Sequence, residues 1–372
     1  KKGQFILSKI DARYGAFGIA PDEVDGSIIT GNFWAYDVDD RIMNINWFHH
    51  YTNSPIFYDL CERASSGITH RKYLDEDFFL NYSLFIPEVS EQDGHVIFIE
   101  DRKSRIGNLE NEQIYQLDIL KKLRQQILQD AVQGKLVLQK PDDEPASVLL
   151  ERIKVGKEKL VREKKIKKEK PLPQINPEEV PFEIPDSWVW CRLGELIELI
   201  SGQDLRPNQY SDTEITGTPY ITGASNLDDE KVIINRWTKN PKSIAIDGDL
   251  LITCKGSGVG KMAYLSEKSV HIARQIMAIR SRYLPVKYVK RVLEINVLTY
   301  KSKAKSLIPG IDRETVLNTY FPLPPQKEQN RIVTKIEQLM KLCDELEQTI
   351  QQNQKYTKDL LQVALKEALE QK

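Results

Sequence analysis

The chain has 372 residues, enough for two or three domains with cores of their own. Its 53 Lys and Arg balance 54 Asp and Glu to a net charge of −1, which excludes a globally basic protein, so any nucleic-acid contact has to come from local patches. The four cysteines, Cys61, Cys191, Cys254 and Cys343, stand far apart without metal-ligand spacing, which argues against structural zinc and a disulfide framework and points to a reducing compartment. No apolar run approaches the ~20 residues of a membrane span and no secretory signal opens the chain, so no membrane partner is expected and the cytoplasm is the expected location.

Residues 1–104 read as a mixed α and β domain. Strands are predicted over 5–10 and 26–35, with Gly15 and Gly18 as turns between them. The first residues, Lys1-Lys2-Gly3-Gln4, lack an initiating Met and run at once into a strand, which suggests that something upstream is missing. A helix is predicted over 45–64, broken by Ser66-Gly67, and residues 68–72 form a polar, basic loop. From 105 to 132 the pattern is helical, with Ile114, Leu117, Leu120, Leu123, Ile127 and Ala131 on one stripe and Gly134 as the stop. A turn at Pro141 to Pro145 and a short helix over 146–153 complete a spacer segment, 105–153.

Residues 154–187 form a linker. Its first part, 154–170, holds nine Lys or Arg and three Glu, and reads either as a phosphate-contacting arm or as a solvated helix and connection. Pro171, Pro173, Pro177, Pro181 and Pro185 then stiffen it. A second mixed domain spans 188–325, with strands at 219–222 and 249–254 and a glycine-rich turn at 255–260. The last segment, 326–372, is a long helix. Apolar residues recur at Ile332, Ile336, Leu339, Cys343, Leu346 and Ile350 with alternating gaps of four and three, and again at Leu360 and Ala364, the spacing of a coiled-coil seam, interrupted by Asn353 and Thr357. Its mate is the 105–132 helix, whose seam contributes Leu117, Leu120 and Ile127.

The two domains repeat one another. Gly3 to Ser8 align with Gly248 to Thr253 at an offset of 245, and Gly15 falls on Gly260. Gly67 pairs with Gly310, Arg71 lies near the counterpart of Arg313, and Leu80-Asn81 echoes Leu317-Asn318. The first copy lacks everything equivalent to 188–247. The expected fold class is α+β: two mixed domains separated by two long helices packed as an antiparallel coiled coil.

Several stretches resemble the specificity subunits of type I restriction-modification systems. They are Trp188 with Leu193-Gly194-Glu195 and Ser201-Gly202, then Pro219-Tyr220-Ile221 and Gly248-Asp249-Leu250-Leu251. The strongest is Pro322-Leu323-Pro324-Pro325 leading into Glu328-Gln329, Arg331-Ile332-Val333 and 343–347. The helix 123–136, followed by Asp143-Glu144-Pro145-Ala146, is similar to that family's central conserved region. The resemblance implies two target-recognition domains, each reading half of a split site in double-stranded DNA, with helix length setting the gap. It also implies docking of two modification (methyltransferase) subunits, which carry S-adenosylmethionine, and of a restriction subunit. The chain departs from the family at its start, where roughly half of the first recognition domain is absent. The alternative is a coiled-coil scaffold with protein-binding globular domains.

No catalytic, cofactor or metal residues are read in the chain itself. The Gly256 to Lys261 segment fails as a nucleotide-binding loop, because Lys255 and Met262 stand where the motif needs Gly and Ser or Thr. Pro141-Asp142 starts no nuclease motif, there is no adenine-methyltransferase motif, and the five histidines show no ligand or triad spacing. DNA readout needs Arg, Lys, Asn and Gln at base edges and cations at phosphates. Candidates in the second domain are Gln203, Arg206, Asn208, Tyr210, Asn226, Lys255, Ser257, Lys261, Arg274, Gln275 and Arg313, with Lys301, Lys303 and Lys305 as a basic cluster. In the first domain they are Lys9, Arg13, Tyr14, His70, Arg71 and Lys72.

Overall fold

The computed structural model describes residues 1–67, 71–214, 216–228, 231–256, 258–303 (side chains to 297) and 310–369. The chain divides into two compact units, Lys1–Leu120 with Glu345–Lys372, and Lys121–Asp344.

In the first unit Phe5 and Leu7 are buried while Ile6, on the other face, is half-exposed, the two-residue period of a strand. This strand, β1 (Phe5–Ser8), lies between β2 (Phe17–Ile19) and β3 (Phe33–Tyr36), antiparallel to both. Only the end of the predicted 26–35 strand is therefore in a ladder. The predicted 45–64 helix is two helices, α1 (Ile45–Thr52) and α2 (Pro55–Arg63). Pro55 has no N–H to continue α1, and it serves instead as the first residue of α2. Two-residue strands β4 (Ser65–Ser66) and β5 (Tyr73–Leu74) and the short α3 (Glu76–Leu80) lead to α4 (Val89–Val132). Aromatic rings fill the core: Phe57 meets Phe5, Phe17, Tyr51 and Phe79 edge-on at 4.8–5.9 Å between centroids.

In the second unit, past the end of α4, α5 (Ala146–Arg162) carries the first half of the basic run. The ammonium of Lys157 is mostly buried and donates to the carbonyls of Gly194 and Ile197 at 2.6 and 2.8 Å, so this part of the run is a structural tie. After the proline-rich connection come β6 (Val189–Arg192), α6 (Leu193–Leu196), β7 (Glu198–Ser201), β8 (Thr218–Ile221), β9 (Leu227–Asp228) and β10 (Lys231–Val232). These are followed by β11 (Trp237–Thr238), β12 (Ile244–Ile246), β13 (Leu250–Thr253), β14 (Met262–Tyr264), β15 (Ser269–Ile272) and β16 (Ile276–Arg280). α7 (Val286–Lys303), α8 (Arg313–Leu317) and β17 (Tyr320–Leu323) precede α9 (Gln326–Leu369). Two four-stranded sheets form, β14-β13-β16-β7 and β11-β8-β15-β12. Leu251, Ala263 and Ala278 of the first face Ile221, Ala245, Val270 and Ile272 of the second across one buried core.

The internal repeat is carried by the backbone. β1 and β2 correspond to β13 and β14 residue for residue at the offset of 245, with the same pairing register. Ser8 N donates to Ala16 O as Thr253 N does to Lys261 O. Gly15 and Gly260 both adopt φ near +87°, and Asp11 takes the left-handed conformation where the second copy has Gly256. From β5 onward the offset is 237. Leu74 N donates to Lys9 O as Ile311 N does to Cys254 O. Asp75 and Asp312 cap α3 and α8, and Asn81 and Asn318 close them. Glu76, not Arg71, is thus the counterpart of Arg313. α4 and α9 correspond from first residue to last, 44 residues each.

α4 starts at Val89 rather than 105; Gly94 and many polar residues hide its first turns. In the first unit Ile99 packs with Leu365 and Ala368, and Gln113 Nε2 donates to Thr357 Oγ1 at 2.9 Å. Numbers rise along one helix as they fall along the other, so the pair is antiparallel. In the second unit Arg124 reaches Asp344 at 2.7 Å. The buried line of α4 is Ile99, Ile106, Gln113, Leu120 and Ile127, at strict seven-residue spacing. Leu117 is half-buried beside it, whereas Ile114 and Leu123 are 62% and 43% exposed and lie off the seam. Along α9 the line runs through Ile332, Ile336, half-buried Leu339, Cys343, half-buried Ile350, Thr357 and Ala364. Leu346 and Leu360, expected in the seam, are 53% and 51% exposed. A 3.6-residue helix drifts against a seven-residue repeat, and the flanking contacts move over to Leu361, Leu365 and Ala368.

Candidate nucleic-acid interface

Four loops of the second unit converge at one edge of the paired sheets. Loop 202–206 lies against 272–276: Gly202 N donates to Ile276 O at 3.1 Å and Gln203 N to Ile272 O at 2.9 Å. A Cβ on residue 202 would strike the Ala273 carbonyl, which explains Gly in the Ser201-Gly202 pair. Asp204 accepts from Arg274 N at 3.1 Å, and Leu205 N donates to the Tyr220 hydroxyl at 3.3 Å. The 222–226 loop meets Gln275 at Gly223, and the β13–β14 turn meets Ala224 at Gly258. Cys254 N donates to Gln275 O at 2.8 Å. The glycine segment is thus a turn between antiparallel strands, not a strand-to-helix loop.

Gln203, Arg206, Asn208, Lys255, Lys261, Arg274 and Gln275 are exposed along this edge, and Tyr210 is half-buried. Asn226 does not belong to it. It is fully buried, accepts from Thr222 N, Thr222 Oγ1 and Gly223 N, and donates to Ile233 O and Asn235 Oδ1, so it builds the turn. Arg313 is likewise engaged inside the unit, by Leu199 O at 2.7 Å, Ser201 Oγ at 3.1 Å and the Glu169 carboxylate. Ser257, Lys305 and His70 lie outside the described residues, as do the side chains of Lys301 and Lys303, which end α7.

Two groups escaped the sequence reading. Arg236 donates from Nε to Asp212 Oδ1 at 2.6 Å and lies 5.2 Å from the centre of the Tyr210 ring. The Asp212 carboxylate raises the guanidinium pKa. Tyr210 packs on Tyr220, and Tyr220 stacks on His271 at 4.9 Å. No local spacing betrays this set, because Asp212 and Arg236 meet only through the bridge between Ser211 and Trp237. Ser225 is the other, an exposed hydroxyl on the 222–226 loop.

In the first unit the corresponding β1–β2 turn holds Lys9, 5.2 Å from the centre of the Trp34 ring, and Arg13, 4.3 Å from that of Tyr14. Arg13 and Lys72 converge on Glu62 at 3.3 and 2.7 Å, while Tyr14 and Arg71 are exposed. Two histidines are buried and neutral for structural reasons. His50 sits between Glu100 at 2.8 Å and Lys103 at 3.1 Å, and burial pulls its pKa down to about 4. Burial also lowers that of His271. Among the described residues no cluster of His, Cys, Asp or Glu could hold a metal ion, and no helix is long and apolar enough to cross a membrane.

The sequence profile of the type I restriction modification DNA specificity domain matches residues 185–354, which include all four converging loops. The chain is 34% identical over 260 residues to the type I restriction enzyme EcoEI specificity subunit of Escherichia coli, covering 64% of this chain and 44% of the relative. To the EcoAI specificity subunit of the same organism it is 35% identical over 249 residues, covering 62% and 41%. The chain therefore spans less than half the length of the curated relatives it matches. Its fold is that of the HsdS subunit from Thermoanaerobacter tengcongensis, with a TM-score of 0.59 at 20% identity over 99% of this chain and 81% of that one. A chain solved in work on assembly and conformational transition of the type I R-M system gives 0.63 at 19% identity, over 99% and 82%.

Proposed function

We propose that the chain is a non-catalytic specificity subunit that reads a bipartite sequence in double-stranded DNA and directs modification and restriction subunits to it. The observation that carries this reading is the edge of the 185–354 domain, where exposed Gln203, Arg206, Lys255, Lys261, Arg274 and Gln275 stand on loops fixed by backbone hydrogen bonds. Rigid loops hold side chains at set positions, which readout of base edges requires. The repeated unit supplies the second half of the site, and 188–325 is the proposed extent of the second recognition domain. Ile119, Leu123, Tyr356 and Leu360 stand at equivalent places on the two helices and are 43–57% exposed, a surface suited to modification subunits. S-adenosylmethionine binds on those partners, and the whole assembly works in the cytoplasm.

The test selects from a pool of random duplexes with the chain and its modification subunit together. Enrichment and methylation of one split sequence is the expected result. Binding without sequence preference would leave a coiled-coil scaffold as the better description.

A further inference from the structure

A guanidinium has two edges with paired donors, one shared by Nε and a terminal nitrogen, the other formed by Nη1 and Nη2. Most described arginines of the second unit spend theirs within the fold. Arg280 gives both Nε and Nη2 to Asp249 at 2.9 and 2.7 Å and is only 15% exposed. Arg192 donates to the carbonyls of Pro173, Asn318 and Gln174. Arg236 and Arg274 differ. The closest approach of Asp212 to Arg236, at 2.6 Å, and of Asp204 to Arg274, at 2.8 Å, is on the Nε side. Neither has a second acidic partner among the described residues, and their side chains are 35% and 71% exposed.

The carboxylates are themselves held. Asp204 accepts the backbone N–H of Arg274, on a loop tied to 272–276. Asp212 follows Ser211, which exchanges both backbone bonds with Trp237, the residue after Arg236. Tyr210, Tyr220, Leu205 and Ala273 pack as one cluster between the two pairs. Each arginine is therefore oriented before any ligand arrives, with its Nη1–Nη2 edge left for a planar pair of acceptors. An arginine held in this way loses less side-chain freedom on binding than a loose one such as exposed Arg206.

We propose that Arg236 and Arg274 each read a guanine, through O6 and N7 in the major groove, with Asp212 and Asp204 as their positioning residues. This rests on the DNA-recognition reading above. Lys255 and Lys261, exposed at the β13–β14 turn, are point charges and hold phosphates.

Arg236→Lys and Arg274→Lys keep the charge but lose the fork. Selection from random duplexes with the chain and its modification subunit compares them with the unsubstituted protein. Each variant should lose about ten- to a hundredfold of the preference for G·C at one base pair, a different pair for each. Affinity for unrelated duplex should stay within about twofold, because the charge at the interface is unchanged. Asp212→Asn and Asp204→Asn should weaken preference at the same pair as the arginine each one positions, and a loss at some other pair would overturn that role. A thermal melt of each variant confirms folding. If Arg236→Lys and Arg274→Lys leave the selected sequence intact, whatever happens to affinity, the two side chains read no base and the proposal fails. If the unsubstituted protein enriches no sequence at all, the DNA-recognition reading fails first, and the two failures are thereby told apart.

Discussion

The β1–β2–β3 sheet of the first unit and the β13–β14–β16 sheet of the second share strand order and the register of both pairings, but not their surroundings. In the second unit both faces are covered: Leu250 and Ile252 on one side and Leu251 on the other are fully buried. In the first, Phe5 and Leu7 are buried, whereas Ile6 is half-exposed, Ala35 is exposed and Phe33 is 38% exposed. The second difference lies at α3 and α8. Leu317 of α8 packs against Gly194 of α6 and is buried, while its counterpart Leu80 is 56% exposed beside a cavity of about 360 Å³ lined by Phe5, Tyr36, Phe48 and Tyr51. Among the described residues the first copy has no counterpart of β6, α6, β7 or β8. The same strand register and turns thus recur in both units. Strand pairing and the turns set that shared shape, and the layer packed on β13 and β16 buries its second face.

The largest effect that would sharpen this contrast comes from truncating matched residues. Leu251→Ala opens a cavity between two layers and should cost ~2–5 kcal/mol, whereas Ile6→Ala removes a half-exposed side chain and should cost ~1 kcal/mol. Hydrogen exchange followed over β13–β14 and over β1–β2 reports each unit separately. Equal losses at the two sites would mean that the face of β1 is covered after all.

Much of this contrast could be read from the chain. Glycines at 15 and 260 and the Leu80-Asn81 and Leu317-Asn318 pairs align because a left-handed turn and a helix stop restrict residue choice sharply. The offset changes from 245 to 237 within segments of unequal length, so the sequence pattern sets Arg71 beside Arg313 where the backbone sets Glu76. The seam was harder. Gln113 and Thr357 are polar yet buried, and they satisfy one another across the helix pair, so a search for apolar residues passes over them and takes exposed Leu346 and Leu360 instead. At the loop edge the exposed charged residues were visible, but an asparagine in a loop looks the same whether it reads a base or, like Asn226, bonds its own turn. Arg236 gave no signal at all, since its partner is brought to it by strand pairing.

A smaller effect tests whether the copies are equivalent where they match best. Asp75 accepts from Phe78 N at 3.0 Å and Asp312 from Thr315 N at 2.6 Å, each capping a five-residue helix. Replacing either by Ala should cost ~1 kcal/mol, and by the same amount in both copies, when urea unfolding is followed unit by unit. A cap that mattered in one copy alone would show that the flanking layer, not the helix end, sets its contribution.

The smallest expected change concerns the first turn of α9, where the copies share a Glu-Gln pair but bury its Glu in one alone. Glu328 is fully buried, accepting from Gln139 Nε2 at 2.7 Å and Trp188 Nε1 at 3.1 Å, while Arg331 two residues past Gln329 reaches Asp143 at 2.5 Å. This explains the Glu328-Gln329 and Arg331 motif as a clamp on residues 139–143 and Trp188. At the equivalent place on α4, Glu91 is exposed. Burial raises the pKa of Glu328, and the two donors only partly offset it. The folded state therefore binds this proton more tightly than the unfolded chain does. Its contribution to stability is fully present below the ordinary carboxylate pKa and is lost as pH rises through the raised folded value. Glu328→Gln removes that titration, so the difference in urea midpoint between about pH 4 and about pH 8 should shrink for the second unit. If Glu328→Gln leaves the profile unchanged, the carboxyl at 328 is reached by water, and the clamp is held by Arg331 and Asp143 instead.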